Sequence, residues 1–245
     1  MEPREYDTMF SLEERHWWYR GLRRQIFRAA LRAGRPSGIG LDAGCGTGMN
    51  LVALARELGP MTWIGLDDNA QALTHAAGRG LRHLTRASVE ALPVGSRRVD
   101  LLVSADVLYH RGVGDDVAAL VEMERCLKPG GYLILNLPAF DRLRSAHDAA
   151  IHTARRYTRG ELVRKLRRAG LTPVRVRYWN WLLFPPLALV RLVRGREQGA
   201  TRSDLAELPG WINRLLDALL ALEARVPIPM PAGLSILALA RRDRP

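Results

Sequence analysis

Short apolar runs at 39–43, 62–67, 82–86, 99–104 and 131–137 alternate with segments whose apolar positions recur at helical spacing, 48–58, 69–78 and 115–127. The runs are apolar enough to be strands buried on both faces of a parallel sheet. Strands alternating with helices predict an α/β fold with right-handed crossovers. The third connection, Val89–Arg98, carries Pro93 and Gly95 and reads as a loop. Ahead of the first strand, 11–33 reads as one amphipathic helix, with Ser11 and Glu14 spaced as a capping box. Beyond the fifth strand, 158–169 reads as a helix capped by Thr158 and closed by Gly170. Residues 174–178 alternate with period two, as an edge strand does, and 234–240 reads as a closing strand. Between these two strands lies an insertion, roughly 181–232. It holds a basic, apolar helix (187–195), an amphipathic helix (204–225) interrupted near Pro209, and a Pro-rich rigid linker, 226–231. The chain therefore divides into an N-terminal helical region (1–36), an α/β core (37–180), the insertion (181–232) and a final core strand (233–245).

The first strand runs into Ile39-Gly-Leu-Asp-Ala-Gly-Cys-Gly-Thr-Gly48. Glycines at alternate positions let a turn adopt positive φ and let a ligand approach bare backbone. The spacing is G-x-G-x-G (Gly44, Gly46, Gly48) with Asp42 two residues ahead, not the G-x-G-x-x-G of a dinucleotide loop. The next run, Met61-Thr-Trp-Ile-Gly-Leu66, ends in Asp67 and Asp68, and an acid at that strand tip suits a ribose diol.

Asp-x-Gly-x-Gly-x-Gly followed by Gly-Leu-Asp resembles the cofactor site of class I S-adenosylmethionine (SAM) dependent methyltransferases. Further stretches are similar to the family in the same order: Ala87-Ser-Val-Glu-Ala-Leu-Pro93, Val99 through His110, and Leu127-Lys-Pro-Gly-Gly-Tyr-Leu-Ile-Leu135. Glu14-Arg-His-Trp-Trp-Tyr-Arg20, the run from Ser145 to Thr158 and Asn180 through Arg191 resemble a bacterial subgroup of these enzymes. The resemblance implies a Rossmann-like seven-stranded sheet with helices on both faces, an antiparallel last strand and an N-terminal lid helix. It implies SAM as cofactor, S-adenosylhomocysteine (SAH) as product and no metal. The cofactor-binding residues it points to are Asp42, Gly44, Gly46, Gly48, Asp67, Asp68, Ser88, Val89 and Ala105. Two positions depart from the pattern: Ser88 stands where an Asp usually accepts from the adenine amino group, and Tyr109 replaces a Glu before His110.

Methyl transfer from a sulfonium needs an aligned acceptor, exclusion of water and often the removal of one proton. His110, just past the fourth strand, is the candidate general base. Trp17, Tyr19, Tyr109, His147 and Tyr157 are candidate substrate or lid residues. Three adjacent aromatics, Trp17, Trp18 and Tyr19, cannot all face one core from a helix, so at least one meets ligand, lid or solvent. Arg20 or Arg23 could reach the methionine carboxylate. The expected reaction is methyl transfer to oxygen or nitrogen of a small or carrier-linked molecule. SAM chemistry without methyl transfer, such as intramolecular cyclisation, and SAM binding without turnover are the alternatives.

Composition narrows the partners. The net charge is +12 over 245 residues, yet only Lys128 and Lys165 are lysines, and the arginines are scattered without a long block. That skew follows from GC-rich codon usage and predicts a solvated basic surface, with no specific nucleic-acid partner. Two cysteines cannot build a disulfide framework, and the charged start has no apolar core of a signal peptide, so a cytoplasmic location is expected. The insertion's apolar helices fit a lid, a dimer face or a peripheral membrane contact, in a monomer or a homodimer.

Overall fold

The computed structural model describes residues 3–34, 36–144, 148, 151–194, 207–226, 228 and 230–243. Its strands are β1 (Gly38–Ala43), β2 (Met61–Asp67), β3 (Leu84–Arg86), β4 (Val99–Ala105), β5 (Leu127–Pro138), β6 (Leu171–Trp179) and β7 (Ser235–Arg242). Its helices are α1 (Pro3–Leu12), α2 (Trp17–Arg32), α3 (Met49–Leu58), α4 (Ala70–Gly78), α5 (Asp116–Cys126), α6 (Arg159–Arg168), α7 (Phe184–Arg194) and α8 (Gly210–Glu223). The strands form one sheet in the order β3-β2-β1-β4-β5-β7-β6. The first five run parallel, and β7 is antiparallel to both neighbours. The apolar runs thus form the α/β sheet they predict, and its seven-stranded, Rossmann-like order with an antiparallel last strand is the one the resemblance implies.

Alternation along the central strands divides the core in two. Leu102, Leu133, Leu135, Ala238 and Ala240 pack on one face with Leu120 and Met123 of α5 and Leu162 and Leu166 of α6. Leu101, Val103, Ile134, Leu237 and Leu239 pack on the other with Leu22 and Ile26 of α2 and Leu51 and Leu54 of α3. Both faces are buried, which is why these strands read as continuous apolar runs. Caps sit where the sequence places them: Asn69 accepts from Ala72 N–H at 3.0 Å, and Thr158 from Glu161 N–H at 3.3 Å.

The N-terminal region departs from expectation. Residues 11–33 are not one helix: α1 ends at Leu12, and α2 starts after His16. Ser11 does not cap; its hydroxyl donates to the Thr8 carbonyl at 2.8 Å in the last turn of α1. The break lets the buried Glu13 side chain turn inward to the Thr47 hydroxyl and to Arg79 Nη2, the latter at 2.7 Å. It also lays α1 against α4, where Asp7 meets Gln71 and His75 at 2.9 Å each and Phe10 stacks on His75.

The second helix of the insertion begins only after Pro209; 204–206 of the expected helix lie outside the described residues. That helix, α8, is fastened to α2. Arg20 and Arg24, one turn apart, both pair with Asp217, and Arg28 reaches the Ala224 carbonyl at the end of α8. Gly21 lies under Leu220, where a side chain would collide. Glu223 accepts from the backbone N–H groups of Asn180, Trp181 and Leu182, tying α8 to the end of β6. Spaced one turn apart along α2, these three arginines line one helix–helix contact. No helix among the described residues is long and apolar enough to cross a membrane.

Candidate functional site

β1 lies between β2 and β4, and the chain leaves β1 for the β2 side before crossing back to β4. Such a reversal opens a crevice beyond the carboxyl ends of the two strands. The glycine turn lies there: Gly44, Gly46 and Gly48 have φ of +87°, +54° and +84°. A Cβ on Gly44 would collide with Val107 after β4, while one on Gly46 would come 3.0 Å from the Met9 methyl of α1. The Ser104 hydroxyl closes the base of the crevice by donating to the Ala43 carbonyl at 2.8 Å.

Two acids flank the turn. Asp42 is wholly buried, and neither carboxylate oxygen has a hydrogen-bond partner. Burial, reinforced by the charge of Asp67, pushes it up to about 8. Asp67 accepts from Gly46 N–H at 2.8 Å and from Asn69 N–H at 3.0 Å, and burial raises it to about 6. Each Asp67 oxygen keeps a lone pair for a further donor, such as a ribose hydroxyl. The Asp42 shift has a testable consequence. The folded state keeps the proton between the unfolded value of about 3.9 and the folded value, so this group's contribution to stability is lost as pH rises through that window. Asp42→Asn escapes the loss. In ligand-free protein its melting temperature should gain on wild type by several degrees between pH 5 and pH 8.5; a pH-independent difference would contradict the burial argument.

The cover over this crevice is α1 with the start of α2. Tyr6 of α1 is buried, and its phenol is raised by desolvation and by the nearby charges of Asp67 and Asp68. The three aromatics of α2 part company. Trp17 and Trp18 both pack against the core face under α2, the Trp18 ring 6.3 Å from that of Trp179, and the backbone N–H of Trp17 donates to Asn213 Oδ1 of α8 at 2.9 Å. Tyr19 goes to the crevice, raised by burial and by Glu13, Asp106 and Glu5. Arg20 is committed to Asp217, whereas Arg23 stays near Tyr19 and Glu13.

At the β4 end, Ala105 pairs in register with Asn136, and Tyr109 stacks on His110 at 4.4 Å. Burial drives His110 down to about 4, and its ring faces the backbone carbonyls of Ile151 and Asp106. His110 is therefore uncharged at neutral pH, its one N–H available to those carbonyls, and it ties the 106–110 loop to the segment around Thr153, with which it forms a β-bridge. Tyr157 is not brought to the crevice. It is buried in the core, where its hydroxyl donates to Asp116 at 2.8 Å and lies 3.0 Å from the Leu108 carbonyl. Ser88 is exposed and its hydroxyl accepts from Glu90 N–H at 3.2 Å, Val89 is buried beneath it, and Asp68 is exposed. His147 lies outside the described residues.

Sequence reasoning gave no role to Asp106, Asn136, Glu5 or Glu13. Asp106 has φ +61°, and both its oxygens lie 3.0 Å from Asn136 Nδ2. A buried Glu5 oxygen has no hydrogen-bond partner. An acid inside an apolar strand end was the available signal for Asp106. Nothing in the spacing marked Glu13. Among the described residues, no group of three or more His, Cys, Asp or Glu could hold a metal ion.

Residues 41–135 match a family model described as a methyltransferase domain. The matched segment runs from the end of β1 through the glycine turn, β2, β3 and β4 into most of β5, so the strand ends that open the crevice fall inside it. The chain is 33% identical over 130 residues to an uncharacterised protein of transposon TN4556 from Streptomyces fradiae, covering 51% of this chain and 37% of that protein. It is 35% identical over 101 residues to a tRNA U34 carboxymethyltransferase of Methylococcus capsulatus, covering 39% and 30%. The chain thus spans about a third of the length of the curated relatives it matches. The methyltransferase-domain fold extends further than the sequence match. A SAM-dependent methyltransferase structure from Thermotoga maritima superposes with a TM-score of 0.57 at 20% identity, covering 97% of this chain and 99% of that one.

Proposed function

We propose that the chain is a SAM-dependent methyltransferase acting at oxygen or nitrogen of a small or carrier-linked molecule. The observation that carries the reading is the crevice at the strand reversal, where three positive-φ glycines adjoin a wholly buried Asp42 with no hydrogen-bond partner for either oxygen. Such an acid would give up its proton on pairing with the ammonium end of SAM, and the spare lone pairs of Asp67 suit the ribose diol. Gly44, Gly46 and Gly48 leave bare backbone for the methionine moiety, and Ser88, Val89, Asp68 and Ala105 border the adenine and ribose side. When bound, SAM supplies a methyl group already activated by its sulfonium leaving group.

The chain's own task is to orient the acceptor and exclude water. α1 does the second, held down by Glu13, Thr47 and Arg79. Tyr19, Tyr109 and Asp106 wall the acceptor end. Some of the arginines are spent inside the chain, on Asp217, Glu13, Asp148 and Glu124, and are not offered to a polyanionic acceptor, which supports a small one. The test is to incubate purified protein with methyl-labelled SAM, a cell metabolite extract and total RNA. Label is expected in small molecules or on a carrier, with SAH formed in equal amount. Label confined to RNA would contradict the acceptor class, and no SAH formation in any pool would contradict the activity.

A further inference from the structure

We propose that Asp106 takes the proton from the methyl acceptor, and that the acceptor is an amine which the crevice binds as an ammonium ion. The proposal rests on the methyltransferase reading and names the substrate class of that site.

Asp106 is held in place at some cost. A non-glycine residue at φ +61° is strained unless its surroundings fix it, although Asp and Asn tolerate the region better than most. Asn136 supplies the constraint. It is wholly buried, and its Oδ1 accepts from Trp179 Nε1 at 2.7 Å. An indole can only donate, so the amide has one orientation, with its NH2 facing both oxygens of Asp106. Asp106 N–H also donates to the Asn136 carbonyl at 2.9 Å. Asn136 and Trp179 are thus positioning residues: an apolar pair would fill the core, whereas this pair aims a carboxylate.

Charge identifies the ligand. Several buried or half-buried acids have cations: Glu13 has Arg79, Asp148 has Arg156, Asp116 has Lys165, and Asp100 has Lys128; at the crevice Asp42 and Asp67 do not, and neither does Asp106. Among the described residues no cationic side chain pairs with Asp106; its hydrogen-bonded partner is a neutral amide. The groups facing it are Tyr19 from α2 and Tyr109 and His110 from its own loop, with Glu5 and Glu13 behind Tyr19. Arg23 and Arg156 stand near the two tyrosines, but Arg156 is bound to Asp148 and Arg23 donates to the Glu14 carbonyl. An anionic acceptor would be repelled there, and an aliphatic alcohol is far too weak an acid for a carboxylate. An ammonium ion supplies the missing cation and a proton the carboxylate can accept. Burial places Asp106 at about 7, suited to that exchange near neutrality.

In the step, R–NH3+ gives one proton to the carboxylate. The freed nitrogen lone pair forms the C–N bond while the C–S bond breaks, its electron pair staying on sulfur as a neutral thioether. The product leaves as the methylated ammonium ion, and Asp106 returns its proton to solvent.

Sinefungin tests this without knowledge of the natural acceptor, because it carries an amine where SAM carries the sulfonium methyl. The full chain should bind sinefungin roughly 10- to 100-fold more tightly than SAH at pH 8, as a hydrogen bond to a charged partner requires. Asp106→Asn, compatible with the backbone angle, should abolish that preference while holding SAH affinity within about threefold. In wild type the preference should shrink as pH falls from 8 to 5.5, and in Asp106→Asn it should not respond. Trp179→Phe, which releases the Asn136 amide, should move the midpoint of that pH response upward. Equal affinities for sinefungin and SAH in wild type, or an unchanged preference in Asp106→Asn, would overturn the proposal and leave the methyltransferase reading standing. Failure of wild type to bind SAH would overturn both.

Discussion

Gly44→Val should abolish detectable SAM and SAH binding and lower stability by about 2–6 kcal/mol. About 1–3 kcal/mol comes from forcing a β-branched residue to φ +87°, and a similar amount from overpacking. The new side chain would be driven into Val107. Val107 adjoins Asp106, so the damage reaches both halves of the crevice at once. Thermal unfolding and calorimetric titration with SAH check the two effects separately. A stable variant that still binds SAH would show that the ligand does not lie along this turn.

Arg156→Met should cost about 3–5 kcal/mol, the range for breaking a buried ion pair from one side. The guanidinium holds Asp148 through two bonds, at 2.8 and 2.9 Å, and reaches the Ala139 carbonyl at 3.2 Å. Both side chains are about 5% exposed, so water cannot replace the lost bonds. For a chain of this size the melting temperature should fall by roughly 6–20 °C. The same substitution combined with Asp148→Leu should recover much of the loss, because no buried charge then remains. If Arg156→Met melts with wild type, the pair contributes nothing. The pair matters for the site because it anchors the segment that runs antiparallel to His110 at Thr153.

The sheet was legible because its signals are local. Each apolar run became a strand, the glycine turn fell at the strand reversal, and Asn69 took the cap, leaving Asp67 to the crevice. What escaped depends on contacts distant in sequence. Glu13 reads as one more acid on an amphipathic helix until Thr47 and Arg79 are brought to it, and only then does the helix break make sense. Tyr157 and Asp106 show opposite errors. An aromatic after β5 resembled a pocket residue, but Asp116 of α5 holds its hydroxyl inside the core. Asp106 lay within the stretch that resembles the family but had no role assigned, because its setting depends on Asn136, 30 residues away, and on an indole from β6. His110 had the right position for a base, but burial costs its ring the basicity that role needs.

On the proposed reading, the crevice between β1 and β4 holds an S-adenosyl ligand, with Asp67 on its ribose. Calorimetric titration of SAH into wild type and Asp67→Ala at pH 7.5 tests it most directly. Wild type should bind one SAH per chain saturably. Asp67→Ala should remain folded and bind about 10- to 150-fold more weakly, as expected for loss of hydrogen bonds to a charged group. A wild-type protein that unfolds cooperatively yet shows no saturable SAH binding, or an Asp67→Ala variant with unchanged affinity, would contradict it.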